Sequence, residues 1–312
     1  MDKLLNVSSN PHIRSKTTTS SIMFTVVVAL LPATGFGIFR FGLDALILIA
    51  VTVASACIFE LLFDLITKRP NTLSDFSAVV TGLLLALNLP ASAPWWIGVV
   101  GSFFAIVVVK MLFGGLGQNF MNPALGARCF LLISFAGIMT NFQVDGVSVA
   151  TPLQELKNGG TVDIVSMARG FIPGTIGEVS VICILAGACI LILFGVIDII
   201  IPASYLLSFV ICLGLFGGKG FDLNFISAHL AGGGLMLGAF FMATDYTTRP
   251  ITKFGQIIYG ILLGILTCVF RVFGPSAEGV SYAIIIGNLL VPLIDKITKP
   301  RFFGKGGVRT NE

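Results

Sequence analysis

Charge is scarce in this sequence. Of its 312 residues only 11% are Asp, Glu, Lys or Arg, whereas 55% are hydrophobic and the mean hydropathy is +0.98. Soluble domains carry roughly 25% charged residues and could not hide so many apolar side chains in one core. A lipid bilayer accepts apolar side chains on the outer faces of helices. The shortage of charge therefore excludes a water-soluble domain and predicts an integral membrane protein.

Histidine and paired cysteine are scarce as well. The chain has two histidines, His12 and His229, which argues against a bis-histidine haem. Its six cysteines stand singly in apolar stretches with no CxxC pair, so we interpret them as small buried side chains rather than metal ligands or disulfide partners. The first 20 residues hold no apolar core of a cleavable signal peptide, and the first apolar segment is expected to direct insertion itself.

What the sequence has instead is a series of apolar segments. A helix needs about 20 apolar residues to cross the hydrocarbon core, and fewer where it is bundled or broken. The third and eighth segments are short and rich in small residues, which fits close helix packing and a broken helix equally well. We predict an all-α polytopic membrane protein of about ten transmembrane helices, at residues 22–39, 43–66, 76–89, 95–112, 124–140, 178–196, 199–216, 226–243, 255–273 and 280–294.

The basic residues predict the orientation of these helices. Thirteen of the nineteen Lys and Arg fall in alternate loops, which are cytoplasmic under the positive-inside rule. The longest polar connection then faces outward and divides the helices five and five. Because five is an odd number, two duplicated halves would have opposite orientations in the membrane. The predicted divisions are a cytoplasmic N-terminal segment (1–20), a first five-helix half (21–140), an outward loop (141–177), a second five-helix half (178–295) and a basic cytoplasmic tail (296–312).

Three charged residues recur at helical spacing near the cytoplasmic end of the second segment. Glu60, Asp64 and Lys68 stand four residues apart and so share one helix face. Acidic residues near a membrane are candidates for ion coupling, because unpaired charges there are costly. We interpret these three as an ion-pair ladder on the protein surface, and His229 as a packing residue rather than a proton relay.

The outward loop contains a candidate acceptor for a covalent group, within the sequence DGVSVATPL from Asp145 to Leu153. Pro152 pushes the preceding Thr151 out of the α region toward an extended conformation. An extended, accessible hydroxyl is what a modifying enzyme needs for attack on a phosphoanhydride. From these residues alone, an ordinary Thr-Pro loop remains the better interpretation.

The same stretch resembles the flavinylation site D-G-x-S/T-G-A-T, at which a flavin transferase attaches FMN from FAD through a threonine phosphoester. Val149 stands where that motif often has glycine. Residues 114–128 (GGLGQNFMNPALGAR) are similar to the GGxGxNxxNPAxxxR signature of the NqrB/RnfD family, and residues 75–90 (DFSAVVTGLLLALNLP) are similar to that family's D-x-S-x-x-x-T-G-L-L-L-A-x-x-L-P segment. The three motifs occur in the family's order.

The resemblance implies two flavins. The first is FMN, covalently bound to Thr151, with Asp145, Ser148 and Ala150 completing its motif. The second is a noncovalent riboflavin near the paired amides. From the residues alone, Asn119 and Asn122 at the start of the fifth segment could either cap the helix or hydrogen-bond an isoalloxazine ring edge. The family's Asn-x-x-Asn pair supports the second of these interpretations.

The resemblance also implies a setting. NqrB members usually begin with a long extra segment, whereas this chain reaches its first apolar segment at about residue 22, which favours the RnfD branch. That branch is an electron-carrying membrane subunit of a ferredoxin:NAD oxidoreductase in the bacterial inner membrane, coupled to Na+ or H+ movement. Its partners would be a second covalent-flavin subunit, small membrane subunits, soluble iron–sulfur and NAD-binding subunits, the flavin transferase and membrane lipid, with no nucleic acid.

Two other classes of function stay open on the sequence alone. Five plus five helices with short glycine-rich middle segments also describe urea-channel-like transporters of small neutral solutes. A scaffold without a cofactor is the third hypothesis. Flavin fluorescence of the denatured chain separates the first hypothesis from both alternatives.

Overall fold

Each apolar segment predicted from the sequence is helical in the computed structural model, which describes residues 17–144, 147–160, 162–178, 180–274 and 279–300. In chain order the helices are α1 (Thr19–Phe41), α2 (Leu43–Thr67), α3 (Ser77–Leu87), α4 (Trp95–Met111), α5 (Pro123–Ser134), α6 (Ala136–Met139), α7 (Pro152–Lys157), α8 (Ile164–Arg169), α9 (Val181–Leu193), α10 (Ile200–Phe216), α11 (Leu223–Ala231), α12 (Leu235–Met242), α13 (Lys253–Phe273) and α14 (Val280–Thr298).

The apolar helices differ in length. Helices α1, α2, α13 and α14 are long and apolar enough to cross a bilayer. Five others have only 10–17 residues, and α11 and α12 form one segment that bends by 63°. The protein is thus an all-α polytopic membrane protein, with more short helices than the sequence predicts. A helix surrounded by other helices does not have to match the bilayer thickness, because protein rather than lipid covers its ends.

The break between α11 and α12 is caused by glycine. Gly233 and Gly234 adopt φ values of +64° and +65°, which side chains with a Cβ rarely adopt. A Cβ on Gly234 would also overlap the Glu178 side chain. For the eighth segment the broken-helix alternative is therefore confirmed. The third segment differs, because α3 is continuous and buries ten of its eleven residues in the centre of the molecule.

Local capping residues explain where several helices begin. Thr18 and Ser21 form a capping box at the start of α1, each hydroxyl accepting from the other residue's backbone N–H. Helix α5 begins with Asn122 as its N-cap and Pro123 in its first turn, where a proline needs no N–H partner. Helix α4 changes from α to π geometry over Phe104–Met111, which rotates its last residues relative to its first.

The connection between the halves is folded against the ends of the helices. It contains a short antiparallel pair of strands, β1 (Gln143–Val144) and β2 (Val147–Ser148), followed by α7 and α8. Its last part runs beside the end of α3, where the N–H of Ile176 donates to Leu89 O at 3.0 Å and that of Gly177 to Leu87 O at 2.7 Å. These bonds attach the connection to the first half.

Candidate functional site

A cleft lies between the two halves at the end of the molecule where α1 begins. The space between its side chains amounts to about 740 Å³ when the solvent at its opening is included. Its walls come from α1, α3, α4, α5 and the segments that follow α9 and α12. Its lining contains both apolar and polar side chains. The polar ones are Ser77, Thr81, Lys110, Asn119, Asn122, Thr244, Asp245, Tyr246 and Thr247.

Asn122 is held by the helix that it caps. Its Oδ1 accepts from the backbone N–H of Ala124 at 3.1 Å and of Leu125 at 3.4 Å. Its Nδ2 lies 3.5 Å from Met242 O, at the limit of a hydrogen bond. The capping interpretation is therefore confirmed for Asn122, and only its amide nitrogen is left to face the cleft.

Asn119 behaves differently. Its Nδ2 donates to Met121 O at 3.0 Å and to Thr247 Oγ1 at 3.2 Å, while its Oδ1 is buried and has no partner among the described residues. A buried acceptor without a donor costs about 1–3 kcal/mol. An N–H group on a bound molecule would satisfy this oxygen, and the imide edge of a flavin ring has one. The residues of the cleft therefore fit a flavin.

A polar row continues from Asn119 to the mouth of the cleft. The Thr247 hydroxyl accepts from Asn119 and lies 3.0 Å from Asp245 Oδ2, while the Thr247 N–H donates to Asp245 Oδ1 at 3.2 Å. Burial raises the pKa of Asp245 above the ordinary aspartate value, against the hydrogen bonds from Thr247 that lower it. This row can hold or exchange a proton beside a bound ring.

Thr151 lies in a second, smaller pocket. Its backbone is extended, with φ −68° and ψ 152°, as the following proline predicts. It is the N-cap of α7 without a capping hydrogen bond from its hydroxyl. The walls of this pocket include Pro173, Glu178 and Gly233, and its space amounts to about 320 Å³ when the solvent at its opening is included. Thr151 is half-buried.

The other residues of the flavinylation motif are less informative. Ala150, directly before Thr151, is exposed. Ser148 belongs to β2, and its side chain lies outside the described part of the structure. Asp145 lies outside the described residues altogether. The geometry of the motif therefore rests on Ala150 and Thr151.

A buried ion pair forms the floor between the Thr151 pocket and α3. Arg128 Nη1 donates to Glu178 Oε1 at 3.1 Å, and both side chains are almost completely buried. Arg128 also donates to Asn88 Oδ1, and Asn88 caps the C-terminal end of α3. Since Glu178 lines the Thr151 pocket, that pocket lies at the end of α3 opposite the cleft. Eleven helical residues separate the two ends by about 16 Å.

The predicted surface ladder of Glu60, Asp64 and Lys68 is wrong. Glu60 is completely buried and its Oε2 lies 2.6 Å from Lys110 Nζ. Asp64 is 3% exposed and accepts from the Thr72 N–H at 3.0 Å, whereas Lys68 is exposed. Helical spacing gives the face that residues share, but not whether another helix covers that face.

Lys110 is the functional candidate that sequence reasoning missed. Lys110 is one of the thirteen Lys and Arg counted as cytoplasmic under the positive-inside rule, although residue 110 also falls within the predicted 95–112 segment. In the structure it lies inside α4 and is 2% exposed. It belongs to the π-helical part of α4, and its ammonium group contacts Glu60 and Ser77. Arg128, which also lies within an apolar segment, is its counterpart at the other end of α3. A cation within an apolar segment was the available signal for both residues.

The sequence matches the model of the NQR2, RnfD, RnfE family over residues 6–304. It is 49% identical over 310 residues to a subunit of the Na(+)-translocating ferredoxin:NAD(+) oxidoreductase complex of Acetobacterium woodii, with 96% of this chain and 95% of that protein covered. It is 39% identical to the corresponding subunit of the proton-translocating complex of Clostridium ljungdahlii, over 96% of each chain. The corresponding subunit of an ion-translocating oxidoreductase complex from Actinobacillus succinogenes is 35% identical, over 97% of this chain and 99% of its own length.

Replacement of Arg128 tests the ion pair below the Thr151 pocket. Arg128→Met keeps an unbranched side chain but leaves Glu178 and Asn88 buried without their donor, and we expect a loss of about 3–5 kcal/mol of stability. Thermal unfolding of the purified protein in detergent measures the change. Arg128→Met combined with Glu178→Leu should recover much of that loss. The control is Arg169→Met, at an exposed position of α8, and equal melting temperatures for Arg128→Met and this control would contradict the assignment.

Proposed function

The chain belongs to the NQR2, RnfD, RnfE family, and from this premise we propose that it carries electrons between two flavins as the RnfD subunit of an Rnf-type complex. Its relatives are subunits of ion-translocating ferredoxin:NAD oxidoreductases. Membership of this family supports the redox proposal over the urea-channel and scaffold alternatives. The observation that carries the proposal is the placement of Thr151 and the Asn119 cleft at opposite ends of buried α3.

At the outer end, Thr151 is proposed as the covalent attachment point for FMN. Its oxygen attacks the FMN phosphorus of FAD, the phosphoanhydride bond breaks, AMP leaves and the hydroxyl proton passes to solvent. Two features support this proposal. The extended backbone before Pro152 presents the hydroxyl without a capping bond, and Thr151 lines a small pocket together with Pro173 and Gly233. A flavin transferase supplies the group during maturation.

At the inner end, the cleft is proposed to hold a noncovalent riboflavin. The unsatisfied Oδ1 of Asn119 supplies an acceptor for a ring N–H, and the amide nitrogen of Asn122 supplies a weakly engaged donor. Apolar lining residues, among them Leu84 and Phe241, would exclude water from a bound ring. A flavin held there would supply one- or two-electron transfer.

The remaining parts of the complex are proposed to be other subunits. These are a second covalent-flavin subunit, small membrane subunits, and soluble iron–sulfur and NAD-binding subunits. The coupled ion is Na+ or H+, since relatives 49% and 39% identical are named for different ions. We also propose that the complex lies in the bacterial inner membrane, with both termini in the cytoplasm.

The orientation is tested with an impermeant thiol reagent on intact cells. We expect a cysteine placed at exposed Asn158 to react, because the basic loops predict that residues 141–177 lie outside. A cysteine placed at Lys305 should stay protected until the cells are opened. Both variants need a background without the native cysteines. Protection at Asn158 together with labelling at Lys305 would reverse the orientation.

Thr151→Val tests the covalent flavin. The substitution keeps the shape of the side chain but removes the oxygen that would form the phosphoester, so covalent flavin should disappear while the protein still folds and inserts. Intact mass and fluorescence on a denaturing gel measure the product after expression with the transferase. Thr161→Val, outside the motif, is the control. An unmodified mass for the wild-type chain, or a fluorescent Val variant, would remove Thr151 as the site.

Replacement of the two asparagines tests the noncovalent flavin. Asn119→Leu removes the amide oxygen and the amide nitrogen. Asn122→Ser removes the amide but keeps a hydroxyl that can still cap α5. We expect the double variant to release at least about tenfold less flavin on denaturation, with covalent flavin retained. Asn224→Leu, at an exposed position of α11, is the control. Unchanged release would restrict Asn119 and Asn122 to structural roles.

A further inference from the structure

A buried cation lies in the wall of the cleft that contains Asn119 and Asn122, which we call the inner cleft. Lys110 Nζ donates to Glu60 Oε2 and to Ser77 Oγ, both at 2.6 Å, and Lys110 is 2% exposed. The Thr72 hydroxyl lies 2.6 Å from the other oxygen of Glu60. Ser77 in turn donates to Asp75. The ammonium group is therefore fixed in place by partners on α2 and α3.

Stability alone is a weak reason for this arrangement. Two charges removed from water lose hydration energy that their attraction only partly restores, so a buried ion pair is often no more stable than apolar side chains of similar size. Within membrane proteins, ionisable residues in the interior usually mark a functional place. The cavities beside Lys110 therefore indicate what its charge acts on.

Lys110 separates two cavities. On one side it lines the inner cleft together with Ser77 and Asn119. On the other side, Glu60 and Asp64 line a cavity of about 830 Å³ that does not include Lys110 among its walls. The positive charge thus lies nearer to the inner cleft than the negative charge of Glu60 does. A molecule in the cleft experiences the cation more strongly than its counter-ion.

We propose that Lys110 stabilises the reduced, negatively charged form of the flavin in this cleft, and that Glu60 and Ser77 position its ammonium group. The inference rests on the proposed function. Oxidised riboflavin is neutral, and uptake of two electrons and one proton gives it one negative charge. The electrons come from the ferredoxin side of the complex and the proton from water. Lys110 then favours the reduced form and raises the midpoint potential.

The test measures the midpoint potential of the noncovalent flavin in the purified complex. A shift in this potential gives the change in the ratio of the cleft's affinities for reduced and oxidised riboflavin. Lys110→Met should lower the ratio of reduced to oxidised affinity at least tenfold, which is about 30 mV for a two-electron couple. Lys110→Arg keeps the charge and should stay within threefold of wild type. Exposed Lys68→Met is the control and should not change the ratio.

A second variant allows for the case in which Lys110→Met does not fold, since it leaves Glu60 buried without a partner. Lys110→Met with Glu60→Gln removes both charges, keeps the net charge unchanged and should show the same tenfold decrease, because the nearer charge is lost. A ratio within threefold of wild type, with flavin retained, would overturn the role of Lys110. Loss of both oxidised and reduced flavin from the folded double variant would overturn it as well.

The failure of the proposed flavin site has a different signature. If wild-type complex has no noncovalent flavin, or if its flavin is unaffected by the Asn119→Leu and Asn122→Ser substitutions, the cleft itself is misassigned, and the Lys110 role that rests on it is overturned too. If the asparagine variants lose flavin but the Lys110 variants keep an unchanged midpoint potential, only the charge role fails.

Discussion

A charge inside an apolar helix bundle must have a partner, because water is not there to solvate it. Two buried ion pairs meet this requirement, Lys110 with Glu60 and Arg128 with Glu178. Each cation also donates to one end of α3, Lys110 to Ser77 at the start and Arg128 to Asn88 at the end. The central helix is thereby fixed at both ends to charges from other elements, and the rest of the bundle packs around it.

This constraint explains why both candidate sites lie where they do. The polar groups that hold the ends of α3 interrupt the apolar interior, and a cavity adjoins each of them. The cleft contains Asn119 with an unsatisfied oxygen, and the smaller pocket contains Thr151 in an extended conformation. Helix α3, about 16 Å long, begins at the cleft, lines it as far as Leu84 and ends at Asn88, beside the Arg128–Glu178 pair. A single subunit can therefore hold redox groups on both sides of the apolar layer.

Features that depend on neighbours in sequence could be predicted. The apolar runs predict the helices, and Pro152 predicts the extended backbone of Thr151. The position of Asn122 directly before Pro123 is typical of a helix cap. Features that depend on distant contacts could not. The partners of each buried ion pair are 50 residues apart, and no local pattern reveals that α4 covers Glu60 on α2. The predicted bounds of α4 and α10 agree with the structure to within one residue, whereas the predicted 124–140 and 178–196 segments are longer than α5 and α9.

The central claim is that one chain holds a flavin at each end of α3. The most direct measurement is an electron-microscopy structure of the purified complex at a resolution that shows side chains. The account predicts a planar three-ring density in the inner cleft, within hydrogen-bonding distance of Asn119 Oδ1, and a second flavin joined through phosphate to Thr151 Oγ1. A cleft filled only by side chains or lipid, or an unmodified Thr151 in a mature and active complex, would contradict it.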